Sequence, residues 1–249
     1  MDRSRFISAG FFLSKRVPRD NHGTPELLPE TILSASGCIC PFVPDTWAIT
    51  WCNHSRSERV SQALRFGLSE DSIDTLISRV TAIISDQSNY GYPNVCFSSE
   101  AAFALVQNAL PVIPGLVLFE LGLHQEDVDL FCKEAAPPPS APGFAPVGEN
   151  GVHSAIRRNT RLSGSGRLLG FEPVVVDASL SCSWLCNGLE RDVASILGIR
   201  PNKQGFLPDL ESARSAVSYI SSPDVGAEPG LWLPWLFVEH PLEAVRRAT

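Results

Sequence analysis

The chain has 249 residues, 44% hydrophobic and 19% charged, the proportions of a folded globular protein long enough for one large domain or two small ones. With 20 Lys and Arg against 27 Asp and Glu its net charge is −7, so it lacks the basic footprint that nucleic acid requires. No unbroken apolar run, LWLPWLFV (231–238) included, approaches the roughly 18–20 residues of a membrane-spanning helix, so neither nucleic acid nor a membrane is an expected partner.

Residues 1–136 hold 16 of the 27 acidic side chains and 10 of the 20 basic ones. Clustered charge steers encounter, so this part is the better candidate for meeting a cationic partner. Lysine occurs only at Lys15, Lys133 and Lys203, an arginine bias that hints at a G+C-rich bacterial host. The opening MDRSRFISAGFFLSKR has an acid at position 2 and an apolar patch closed by Lys15 and Arg16, with no small-residue cleavage pattern. It reads as a first strand and not as a signal peptide. Seven cysteines, an odd number without an export signal, fit thiols in a reducing cytoplasm better than a disulfide framework.

In chain order, SRFISAGFF, TILSASGCIC and TWAITWCNH read as strands, the last two separated by the turn PFVPD (41–45). Ser55 and Glu58 have capping-box spacing ahead of a short helix that Gly67 would end. Ser69, Glu70 and Asp71 open another, in which Ile73, Leu76, Ile77, Val80, Ile83 and Ile84 share one face. A third is expected from Ser98 or Ser99, with Phe103, Val106 and Leu110 inward. GLVLFELGL (115–123) is a strand or apolar connector, and HQEDVDLFCKEA a short helix. Five prolines between Pro137 and Pro146 exclude helix and mark a linker. The expected organisation is an α+β part over 1–136, a Pro-rich linker over 137–150 and a second α+β part over 151–249.

Beyond the linker, VHSAIRRN is a short helix and GRLLGFEPVVVDA (166–178) a strand. Residues 183–197 are expected to form a helix with Leu185, Leu189, Val193 and Ile196 inward, ended by Gly198. Asp209 caps a further helix in which Leu210, Ala213, Val217 and Ile220 recur at helical spacing. The run 231–238 is a short last strand, placed at a sheet edge because Pro234 interrupts it. Strands and helices mix without βαβ alternation, so the fold class is α+β with mainly antiparallel sheets packed against helices.

Two constellations bear on chemistry. In SCSWLCNGLE (181–190), Ser183 suits an N-cap and Cys186 the third helical position, where a helix dipole favours thiolate. A nucleophile also needs a base, which His124, His153 or His240 would supply only through the fold. The structural reading, a cap with core cysteines, is the expected one. In the second, Cys38, Cys40, Cys52 and His54 could converge if two strands pair across PFVPD. Their spacing departs from the familiar zinc patterns, so a reduced apolar core is expected there, with no cofactor. The G-x-S-x-G elbow, H-E-x-x-H, the P-loop and G-x-G-x-x-G are absent from the sequence, and GSG (164–166) reads as a turn. Trp232 and Trp235, on an exposed edge, would form a docking surface.

LLGFEPVVVD, SCSWLCNGLE, LGIRPNKQGFL, LESARSAVSYI and EPGLWLPW together resemble a recurring pattern in uncharacterised bacterial cytoplasmic proteins. Some proteins of this kind look like immunity proteins paired with polymorphic toxins. The resemblance covers about residues 150–240 and brings no catalytic residues with it; the N-terminal part shares none of it. It implies a non-enzymatic cytoplasmic protein that binds another protein, a basic toxin. Asp45, Glu70, Asp71, Asp74, Trp232 and Trp235 are the expected contact residues. The alternative is a cysteine-dependent enzyme using Cys186 with a distant histidine.

Overall fold

A computed structural model describes residues 1–18, 25–34, 55–65, 68–91, 95–108, 115–134, 151–177 and 180–242. The fold is α+β. Its strands are β1 (Phe6–Pro18), β2 (Thr31–Ser34), β3 (Tyr90–Gly91), β4 (Val95–Cys96), β5 (Leu116–His124), β6 (Arg167–Asp177), β7 (Leu180–Ser183) and β8 (Trp232–His240). They form one sheet in the order β3-β4-β1-β5-β8-β6-β7, with β2 also paired to β1. Every pairing among them is antiparallel. Strands from both sides of residues 137–150 meet where β5 pairs with β8, so the proline-rich stretch separates two parts of the sequence but not of the sheet. Residues 135–150 themselves lie outside the described residues.

The three middle strands are buried on both faces. Residues 6–14 of β1, 118–124 of β5 and 232–238 of β8 are buried without interruption, which is why they read as continuous apolar runs and not as alternation. β8 is therefore a central strand, and the expectation of an edge fails. In the β6–β8 register Pro173 faces Pro234. Two opposed prolines fit only as a pair that exchanges no hydrogen bonds, with both ring nitrogens turned outward. Pro234 then looks toward β5 one step beyond Leu123–Trp235, the last pair of that ladder. Pro173 looks toward β7 one step beyond Val174–Ser183. Neither ladder loses a bond.

Seven helices are described: α1 (Arg56–Arg65), α2 (Ile73–Ile84), α3 (Ser99–Asn108), α4 (Val128–Glu134), α5 (Gly151–Arg157), α6 (Glu190–Ile196) and α7 (Leu210–Ile220). On one face of the sheet, Phe131 of α4 and Val152, Ala155 and Ile156 of α5 pack on Phe12, Phe119, Leu121, Trp235 and Phe237. The other face is shared by two clusters. Toward β4, Ile73, Leu76 and Val80 of α2 and Ala102 and Leu105 of α3 cover Phe11, Leu13 and Leu118. Toward β7, Val193 of α6 and Ala213, Ala216 and Ile220 of α7 cover Phe171, Trp232, Leu236 and Val238. The inward face of α3 is Ala101, Ala102 and Leu105; the expected Phe103 and Val106 flank it half-buried, and Leu110 lies outside the described residues.

One bulge sets the faces of β1. The register against β5 shifts between Ser8 and Phe11, at Gly10 with φ +99°. A Cβ there would stand 2.3 Å from Val95 Cγ1, so only glycine fits both the backbone and the space.

Candidate functional site

Of the expected contact residues, Glu70 and Asp71 lie in a 3-10 turn (Glu70–Ser72) and Asp74 in the first turn of α2; all three are exposed. Arg56 of α1 pairs with Glu70 at 2.8 Å. Leu64, on the same helix as Arg56, is 57% exposed. Asp45 lies outside the described residues, as do Cys38, Cys40, Cys52 and His54. Among the described residues no group of three or more His, Cys, Asp or Glu side chains is placed to hold a metal. Trp232 and Trp235 are corrected: at 3% and 0% exposure they are core residues, facing opposite sides of the sheet, and offer no surface to a partner.

SCSWLCNGLE is also corrected. β7 ends at Ser183, a four-residue 3-10 turn follows (Trp184–Asn187), Gly188 takes a left-handed φ of +65°, and α6 begins only at Glu190. Ser183 does cap, accepting the Leu185 N–H at 3.1 Å, but what it caps is the short turn. Cys186 therefore lacks the helix whose dipole would favour thiolate, and it packs half-buried between two core clusters. Ile196, expected inward, is 60% exposed.

The sheet carries two buried carboxylates, Glu120 and Glu172, that are not among the expected site residues. Glu120 stands in the middle of β5 at 1% exposure. Its carboxylate accepts the Ser163 backbone N–H at 3.0 and 3.2 Å and lies 3.2 Å from His240 Nε2, which must carry the proton to donate. The loop that brings Ser163 there, residues 160–166, crosses the sheet from the free side of β1. Ser8 N–H donates to Thr160 O and Leu162 N–H to Phe6 O before the chain turns into β6. Leu162 lies directly over Gly122, where an added Cβ would come within 2.9 Å of it. Arg3 fastens the loop, its guanidinium donating to the carbonyls of Ser163, Ser165 and Gly166. The GSG stretch (164–166) bends the chain toward β6, and Ser163 just before it holds the buried acid.

A second buried acid faces the other side. Glu172 of β6, 4% exposed, accepts a hydrogen bond from the Ser183 hydroxyl. Burial pushes its pKa up to about 8, with the Ser183 hydroxyl pulling the opposite way. The sequence signal for Glu120 and Glu172 is one shared feature, a lone carboxylate inside an otherwise apolar strand (LFELGL and GFEPVVV).

At the end of β5, His124 sits opposite Phe6 with its side chain 2% exposed. Its Nδ1 accepts the Glu126 backbone N–H at 3.4 Å and lies 3.4 Å from Arg214 Nη2, which also reaches Glu126 at 3.1 Å and Asp127 at 3.3 Å. Burial is the main cause that lowers the His124 pKa; the Glu126 carboxylate opposes it, and Arg214 and Arg5 reinforce it.

Comparison with protein-family models, with curated proteins and with solved structures finds no match.

Proposed function

We propose that the protein acts by binding another protein, and that its partner is basic, as for an immunity protein that neutralises a toxin in the bacterial cytoplasm. The observation that carries this reading is the outward display of Glu70, Asp71 and Asp74 at the start of α2, beside a helix that exposes Leu64. Carboxylates standing in water cost nothing to desolvate until a partner arrives, and they accelerate encounter with a cationic surface. An exposed apolar side chain on the neighbouring helix supplies the burial that charge alone does not.

The test begins with recovery of the partner on the intact chain from a lysate of its own host, followed by titration of that partner at low and high salt. Tight, salt-sensitive binding is expected. Replacing Glu70→Lys, Asp71→Lys and Asp74→Lys together should weaken it at least about tenfold, since each lost charge pair at a rim contributes up to about 1 kcal/mol, and should flatten the salt dependence. Unchanged affinity and unchanged salt response in the triple variant would remove the acidic surface from the account.

A further inference from the structure

His124 closes β5 at the point where the start of β1, the turn after β5 and α7 come together. Its side chain is 2% exposed, its ring meets Phe6 edge-on with centroids 5.1 Å apart, and its Nε2 is buried without a hydrogen-bond partner among the described residues. Two groups face Nδ1, the Glu126 backbone N–H and Arg214 Nη2, each at 3.4 Å. Neither can accept, so Nδ1 carries the lone pair, Nε2 bears the hydrogen and the ring is neutral. In that form it makes a joint. Nδ1 caps the 3-10 turn Gln125–Asp127, and the same atom together with that turn's two carboxylates anchors α7. Arg214 reaches Glu126 at 3.1 Å and Asp127 at 3.3 Å. Among the described residues, Arg214 is the only side chain of α7 that hydrogen-bonds to another element; Ala213, Ala216 and Ile220 hold the helix by apolar packing alone.

The charges around the ring decide what a proton does there. Arg214 approaches from α7 and Arg5 from the start of β1, and Glu126 pairs with both, at 3.1 and 3.2 Å. Asp127 stands on the same turn, and Arg161 holds its Gln125 at 2.9 Å. Met1 with its amino group, Asp2 and Asp209 line the adjoining cavity of about 220 Å³, beside Phe6, Phe171 and Leu210. Asp209 spends its carboxylate on capping α7. A second proton can enter the ring only at Nδ1, where it turns an acceptor into a donor aimed at two donors. The nearest acceptor, Glu126 Oε2, is 3.6 Å away and already engaged by Arg214. The imidazolium is moreover shut away from water beside a guanidinium. We propose that His124 is an acid-operated latch: neutral, it ties the first half of α7 to the turn after β5, and protonated, it displaces Arg214 and frees that half of the helix. Leu210 leaves with it and uncovers Phe6 and Phe171. Burial first of all holds the His124 pKa below its ordinary 6.5 in the closed form, so the open form, with the ring in water, takes the proton first as pH falls. Opening therefore gains up to about tenfold per pH unit below about 6.5, and the gain ends where the closed form is itself protonated. The latch shares no residue with Glu70, Asp71 and Asp74 and stands whether or not the protein-binding reading does.

The test follows amide hydrogen exchange of the intact chain from about pH 7.5 to about pH 5, expressed as protection so that the intrinsic pH dependence of exchange is removed. The His124 ring nitrogens are followed over the same range by long-range proton–nitrogen NMR. Protection of the Glu126 N–H and of residues 213–216 is expected to fall by up to about tenfold per pH unit below about 6.5, while residues 118–123 of β5 keep theirs. His124→Asn offers an acceptor in place of Nδ1 but does not titrate, so its α7 protection should stay level across the range. Arg214→Gln, at a half-exposed position, removes a charge that opposes protonation, and His124 should then take its proton at higher pH than in the parent. Protonation of His124 with α7 protection unchanged would overturn the proposal. So would a His124 that stays neutral until the whole sheet opens, or a pH dependence in α7 that persists in His124→Asn.

Discussion

A carboxyl group enclosed by a core titrates against the fold that encloses it. Glu172 has an ordinary pKa of 4.5 in the unfolded chain and about 8 in the folded one, so between those values the native state holds a proton that the unfolded state has released. The sign follows: the contribution of this residue to stability is complete below about pH 4.5, declines as pH rises by up to about 1.4 kcal/mol per unit, and is lost by about pH 8. Glu172→Gln keeps the shape of the protonated acid and removes the titration. Urea unfolding should show the variant more stable than the parent at pH 8 and the two close together at pH 5. Parallel pH profiles would mean that Glu172 is ionised in the native protein. The Ser183 hydroxyl that donates to Glu172 also caps the turn after β7, so Ser183→Ala should disturb both at once.

At the scale of the element, legibility in the sequence followed how local the determining physics was. The helix at α7 was readable in place and cap, because its N-cap and its apolar spacing lie within twelve residues; Ala213 and Ile220 are buried as expected, Leu210 and Val217 are half-buried, and Ala216 is the further inward residue. Asp209 accepts from both the Ser212 N–H and its hydroxyl, as the cap residue type implied. Asp209→Ala should lower the unfolding free energy by about 1 kcal/mol, measurable as a shift of the denaturant midpoint with unchanged slope. α2 was readable for the same reason: Ile73, Leu76 and Val80 are all buried. SCSWLCNGLE misled because its helix signals are real but straddle Gly188, whose left-handed backbone splits them into a short turn and a separate helix. β8 misled because proline was taken to weaken a single strand, whereas its cost depends on the neighbouring ladders. That Pro234 meets Pro173 where both ladders have stopped is a matter of register, which no local pattern encodes. The cavity between the start of β1 and the first turn of α7 was illegible for a similar reason. Phe6, His124, Phe171 and Leu210 are brought together by three strands and a helix, and none of them marks the others in the sequence. Glu120 and Glu172 could have been flagged, since a charged residue inside an apolar strand demands a partner.

For the whole molecule, the sheet overrides the division that composition suggests. β1 and β5 come from before the proline-rich stretch and β6, β7 and β8 from after it, yet the core packed under α4 and α5 draws on both. The strand that joins them is β8, which lies between β5 and β6. This order has a bearing on synthesis. Chains fold as they leave the ribosome, and β8 is encoded after every other strand of the sheet. Until residue 240 has emerged, β5 and β6 each present an open, apolar edge of the kind that invites intermolecular pairing. A chain stopped after Gly230 is therefore expected to aggregate or to associate with chaperones, with no cooperative unfolding transition. Recovery of that fragment as a soluble, cooperatively folding monomer would show instead that its strands fold without their centre. In the expected case the nascent protein depends on holding two unfinished half-sheets apart until the strand between them arrives, and the time a ribosome takes over residues 177–240 becomes a determinant of yield.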